Sequence, residues 1–195
     1  MEQNKIFDII IYLLEGIKNK KPNNALQNKF GEETLEITNC SYLLNQLIRQ
    51  YSIPQNHYFI SEKALAMWKE INTDNILNYR HRDKVTKVID GETEIEKYKG
   101  NEKSPTKALI KKGDFFIYND VFTDEHIVPV SVIIKELCCL EKLDYKSIKV
   151  VLDKIYICKM LKAEDRGIAN KYNRSSNYEE VIKEDYKKIA VKQVK

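Results

Sequence analysis

The chain is 195 residues long, 43% hydrophobic and 32% charged, with a formal net charge of +4. That length can bury one sizeable core, or one core and a small accessory unit, and the composition is globular. The mild positive charge helps a polyanionic partner approach without demanding one. No stretch is long and apolar enough to cross a bilayer, and the N-terminus, with Glu2 and Asp8 around its isoleucines, lacks the cationic start of a signal peptide. The expectation is therefore a cytoplasmic protein with no membrane partner. The cysteines Cys40, Cys138, Cys139 and Cys158 form no CxxC pair, which argues for reduced thiols and against a zinc knuckle or disulfide scaffold.

In chain order, Ile6, Ile9, Ile10, Leu13, Leu14 and Ile17 recur at helical spacing, and this first helix should stop in the polar stretch before Pro22. Leu43, Leu44, Leu47, Ile48 and Tyr51 predict a second helix, capped by Ser41 and ended before Pro54. A third opens at Ser61, whose hydroxyl can cap it, and continues through Ala64, Leu65, Trp68 and Ile71. Residues 1–78 thus read as a helical domain that could contact DNA, although such helices are more often only a packed bundle. His57 reads as an ordinary surface residue.

Character changes after Asn78. Tyr79, Arg80, His81, Arg82 and Lys84 form a basic, aromatic cluster. Val85 to Ile89 reads as a strand turning at Asp90-Gly91 into a second strand, Thr93 to Tyr98, as a hairpin. Ser104 and Pro105 predict a helix start, with Gly113 closing it. From Arg80 to Lys112 there are ten Lys or Arg against six Asp or Glu. Such a stripe suits a phosphate backbone, and equally a solvated sheet face. Residues 79–195 read as one basic, β-rich segment running into the module described next.

An aromatic and β-branched strand, Phe115 to Phe122, leads into Asp124, Glu125, His126 and Pro129. An acid touching a histidine at the end of a rigid strand is a nuclease-like arrangement: the acid can hold a divalent cation, and imidazole can take a proton from water near neutral pH. Val130 to Leu140 and Asp144 to Asp153 then read as helices, and Ile155 to Leu161 as a buried strand. Lys162 to Arg166 reads as a polar helix start, and the charged tail carries a weaker helical face through Val181, Ile182, Tyr186 and Ile189. A short acid-His-x-x-Pro string also arises by chance, and Glu164, Asp165 and Arg166 alone would suit any helix N-terminus.

The order of strand, EHIVP at 125–129, second strand and polar helix within IYICKMLKAEDRGI at 155–168 resembles the HNH, or ββα-metal, nucleases. More loosely, the chain is similar to small bacterial type II restriction endonucleases. The resemblance implies an α+β fold with a helical N-terminal part, a β-hairpin-containing middle and a C-terminal ββα-metal module, the helices from Val130 to Asp153 being an insertion. It implies Glu125 as a metal ligand, where Asp is more usual, and His126 as general base. Glu164 and Asp165 stand nearest the place where the family has a final Asn or His, with Asn170 further off. Asp124 is either an additional ligand or a solvent-facing acid.

The implied cofactor is Mg²⁺ or another divalent cation such as Mn²⁺. The implied partner is double-stranded DNA, cut at a short specific site by a homodimer. Arg80, His81, Arg82, Lys84, Arg166 and Arg174 are the candidate DNA contacts. Two alternatives stand beside this reading: a noncatalytic DNA-binding or regulatory protein, and an HNH-type RNA-cleaving toxin.

Overall fold

The computed structural model describes residues 3–19, 32–51, 58–100, 102–168, 174–186 and 189–194. His57, Asn170, Tyr172 and the helix-breaking Pro22 and Pro54 lie outside those residues. The fold is α+β and divides into two compact units, neither continuous in sequence. The first comprises Met1–Gln55, Val128–Ile155 and Tyr172–Tyr178, and the second the remainder.

The first unit is helical. Its described elements are α1 (Gln3–Asn19), α2 (Glu32–Tyr51), α5 (Val130–Cys139) and α6 (Tyr145–Leu152). The helical spacing of Phe7, Ile10, Leu13 and Leu14 turns one stripe of α1 inward. There it meets Leu44, Ile48 and Tyr51 of α2, Ile133 and Leu137 of α5, and Ile148, Val151 and Leu152 of α6. Each such fully buried aliphatic side chain stabilises the fold by about 1.5–3 kcal/mol. α6 is capped by Asp144, whose Oδ1 accepts from the Ser147 N–H at 2.8 Å. Ser41 lies within α2 and does not cap it, because the helix begins at Glu32.

The second unit holds α3 (Glu62–Ile71) and a single 3₁₀ turn (Ile76–Asn78), followed later by α4 (Tyr118–Val121) and α7 (Lys162–Arg166). Its sheet contains β1 (Tyr58–Ser61), β6 (Phe122–His126), β7 (Ile157–Leu161) and β8 (Val191–Val194), in the order β6-β7-β1-β8. β6 is antiparallel to β7, β7 parallel to β1, and β1 antiparallel to β8. Two further ribbons pair β2 (Lys84–Thr86) with β5 (Phe115–Ile117), and β3 (Thr93–Lys97) with β4 (Thr106–Ile110). Their inward residues Val85, Phe116, Ile95 and Ile110 share a core with Ile60, Trp68, Tyr118 and Phe122. α8 (Tyr178–Glu184) begins at the boundary between the units, where Glu179 opens the last stretch of the second.

Several expectations are corrected. The division does not fall after Asn78: β1 is a strand, and its parallel pairing with β7 assigns residues 58–78 to the second unit. The helices of 130–153 pack against α1 and α2 in the first unit. Asp90-Gly91 does turn the chain, with Gly91 at φ 89°, a conformation that costs glycine little. The flanking strands nevertheless pair elsewhere, β2 with β5 and β3 with β4, so no hairpin forms there. The stretch after Pro105 is β4 and not a helix, since β3 takes it as a partner and Ile110 enters the core. The aromatic strand from Phe115 is broken by the helical turn α4, and the tail adds the strand β8.

Candidate functional site

β6 and β7 run antiparallel with Asp124 opposite Lys159, Glu125 opposite Cys158 and His126 opposite Ile157. Side chains alternate along a strand, so Asp124 and His126 share one face with the buried Phe122, and Glu125 turns to the other. The acid that shares a face with the histidine is therefore Asp124.

On that face Lys159, wholly buried, donates from Nζ to Asp124 Oδ1 at 2.8 Å, to the Tyr79 carbonyl at 2.8 Å and to the Tyr118 hydroxyl at 3.3 Å. Tyr118 donates its own O–H to the same Asp124 oxygen at 3.0 Å. The ammonium also lies 4.8 Å from the centre of the Tyr118 ring and 5.9 Å from that of Tyr58. Burial holds the Lys159 pKa below the ordinary lysine value, against the pull of Asp124. Burial, reinforced by Asp124, pushes the Tyr118 phenol well above its ordinary value. Asp124 keeps 24% of its side-chain surface exposed, and among the described residues its Oδ2 accepts no hydrogen bond. The arrangement is a carboxylate with one oxygen fixed by a buried cation and the other accepting no hydrogen bond among the described residues.

The basic turn joins this group. Arg80 donates from Nη1 to the carbonyls of Leu77 at 2.7 Å and Tyr79 at 3.2 Å, and its guanidinium lies 5.7 Å from the Tyr58 ring centre. Asp83 Oδ2 accepts from the Arg80 N–H at 2.7 Å and closes the turn. The turn is stapled to α4 by Tyr118 N–H on the Asp83 carbonyl and Asn119 N–H on that of His81. His81, Arg82 and Lys84 remain exposed.

The other candidates fall elsewhere. Glu164 is a helix-capping group: its Oε2 accepts from the Ser61 hydroxyl at 2.5 Å and from the Leu161 N–H at 3.0 Å. The Ser61 hydroxyl in turn accepts from the Ala64 N–H at 3.1 Å, so one side chain ties α3 to α7. Glu164 and Glu125, with burial as the leading cause, raise the thiol pKa of the buried Cys158. Asp165 lies on α7, as does the exposed Arg166, whose guanidinium stacks 4.3 Å from the centre of the Tyr98 ring. Arg174 is only 5% exposed and falls in the first unit.

Among the described residues no three His, Cys, Asp or Glu side chains gather as a metal site. The expected ligand set of Asp124, Glu125, Glu164 and Asp165 is not brought together. A Mg²⁺-like ion, however, needs only one or two protein carboxylates, the rest of its shell coming from water and substrate phosphates. Asp124, a quarter exposed and with the Lys159 and Tyr118 contacts both on one oxygen, fits that lesser demand.

Lys159, Tyr118 and Tyr58 were missed in the sequence. Lys159 carried a signal: it is the one charged residue between Ile155 and Leu161, and a lysine inside a buried strand needs a partner. No protein-family model matches the chain, and neither does any curated protein or solved structure.

Proposed function

We propose that the chain is a metal-dependent DNA endonuclease of the HNH type, with Asp124 and His126 as its reacting pair. The observation that carries the reading is their common face on β6, beside a buried lysine and a basic turn, with β7 leading directly into α7. Mg²⁺ held by Asp124 would offset the charge that develops on the scissile phosphate and the leaving oxygen. His126, as neutral imidazole, accepts the proton of the attacking water. Lys159 and Tyr118 hold Asp124 in place through its Oδ1, while Arg80, Arg82 and Lys84 meet neighbouring phosphates. In this reading the protein is a type II restriction enzyme, acting in the cytoplasm as a homodimer so that both strands are cut at one site.

A second reading, a noncatalytic DNA-binding protein, would use the same basic surface of exposed His81, Arg82 and Lys84. Incubation of the protein and of His126→Ala with long duplex DNA, single-stranded DNA and RNA, in Mg²⁺ and in excess chelator, separates them. The nuclease reading expects discrete metal-dependent duplex fragments from the unaltered protein alone. Retained binding with intact DNA would leave the second reading standing, and selective cleavage of RNA would point to the toxin.

A further inference from the structure

The β2–β5 ribbon has an outward face that neither the core nor the reacting pair uses. Val85 and Phe116 point inward and are buried, so Lys84, Thr86, Phe115 and Ile117 point outward. Phe115 is 54% exposed and Ile117 38%. Leaving a phenyl ring and a branched aliphatic side chain in water on neighbouring positions of one sheet face forfeits burial that Val85 and Phe116 achieve on the other face. Lys84 places its ammonium over the Phe115 ring, Nζ 3.7 Å from its centre. No acid stands at the four outward positions, and the exposed His81 and Arg82 lie in the turn that precedes β2.

We infer that this face is a sequence-reading contact for duplex DNA, the ribbon lying in the major groove with Phe115 and Ile117 against base edges and Lys84 and Arg82 on flanking phosphates. The inference rests on the DNA-directed reading above and names the element that would supply its specificity. Three features favour this occupant over others. A two-stranded ribbon, with strands about 4.8 Å apart, enters a major groove about 12 Å wide. Exposed apolar side chains there can contact thymine methyl groups, which bear sequence information that phosphates lack. The charge of the face is complementary to a polyanion. The ribbon also leads straight to the reacting pair: Ile117 is followed by Tyr118, Lys84 is preceded by the turn stapled to α4, and Lys159 holds the Tyr79 carbonyl beside Asp124.

The test is selection of bound duplexes from a random-sequence pool, followed by affinity measurements on the enriched and on scrambled duplexes over a salt series. It is run for the intact protein, for Phe115→Ser/Ile117→Ser and for Arg82→Ala/Lys84→Ala, with thermal unfolding of each as the check on folding. The ribbon variant is expected to lose at least about fivefold of the preference for the enriched duplex, the cost of one or more lost base contacts, and to keep its affinity for scrambled DNA. The Arg82→Ala/Lys84→Ala variant is expected to weaken both duplexes together and flatten their salt dependence. An unchanged preference in a folded ribbon variant, or equal loss on both duplexes, overturns the inference while leaving the nuclease reading intact. A preference of the intact protein for single strands also overturns it. An intact protein that neither binds nor cuts DNA removes the DNA-directed reading itself.

Discussion

Lys159 and Asp124 face each other across the β6–β7 ladder, with Nζ 2.8 Å from Oδ1, the lysine wholly buried and the aspartate a quarter exposed. The pair is the pivot of the candidate site, because the same ammonium also holds the carbonyl of Tyr79 and so the start of the basic turn. Its energetics are asymmetric. Removing the aspartate leaves a buried charge uncompensated, whereas removing both partners leaves a space that apolar atoms can fill.

Asp124→Ala is accordingly expected to destabilise the fold by about 3–5 kcal/mol, and Asp124→Ala combined with Lys159→Met by clearly less than the sum of the single changes. Urea unfolding of the four members of this cycle checks it. Additive losses would mean that the pair is not coupled.

Tyr118→Phe removes the hydroxyl that donates to Asp124 at 3.0 Å and accepts from Lys159 at 3.3 Å, leaving the ring stacked 5.4 Å from that of Phe122. The expected cost is about 1 kcal/mol in stability. Because the folded phenol has a raised pKa, its neutral form is common to both states below the ordinary value of 10.0, and its contribution is lost as pH rises above that value. The variant should therefore show a flatter fall of unfolding midpoint between neutral and strongly alkaline pH. An unchanged alkaline profile would count against the assignment.

Glu164→Gln separates capping from metal binding. The amide oxygen can still accept from Leu161 N–H and Ser61 Oγ, so the proposed nuclease reading expects Mg²⁺-dependent cleavage to persist in this variant, with a modest drop in thermal midpoint. Ser61→Ala, which deletes both the α3 cap and the tie to α7, is expected to cost about 1–2 kcal/mol without changing the metal requirement. A shift of the Mg²⁺ midpoint in either variant would return Glu164 to the metal site.

Asp144 governs a separate acid response in the helical unit. The Ser147 N–H lowers its pKa from the ordinary 3.8 to about 2. A carboxylate depressed on folding stabilises the native state above its unfolded pKa, and that contribution is lost as pH falls from about 4 through 2. Asp144→Asn keeps a good capping side chain and removes the titration. Circular dichroism across this window should show acid loss of helix reduced in the variant.

Much of the helical architecture was legible because it rests on local signals. The stripe of α1, the Ser61 cap and the span of α5 all follow from periodicity and capping chemistry within a few residues. Strand pairing was not legible. β1 and β7 lie about a hundred residues apart, and β2 passes over the nearby β3 to pair with β5, choices made by burial of Val85, Phe116 and Ile95 in one core and not by the Asp90-Gly91 turn. The same limit applies to the site. His126 and its acidic neighbours stood out in sequence, but which acid shares its face depends on β6 continuing through residue 126, and the buried partner of that acid comes from another strand.

The most direct test is therefore a comparison of Mg²⁺-dependent duplex cleavage by the unaltered protein, Asp124→Asn and Glu125→Gln, each verified as folded. The account predicts cleavage lost by at least about a hundredfold in Asp124→Asn and largely kept in Glu125→Gln. Loss in Glu125→Gln with activity retained in Asp124→Asn would contradict it.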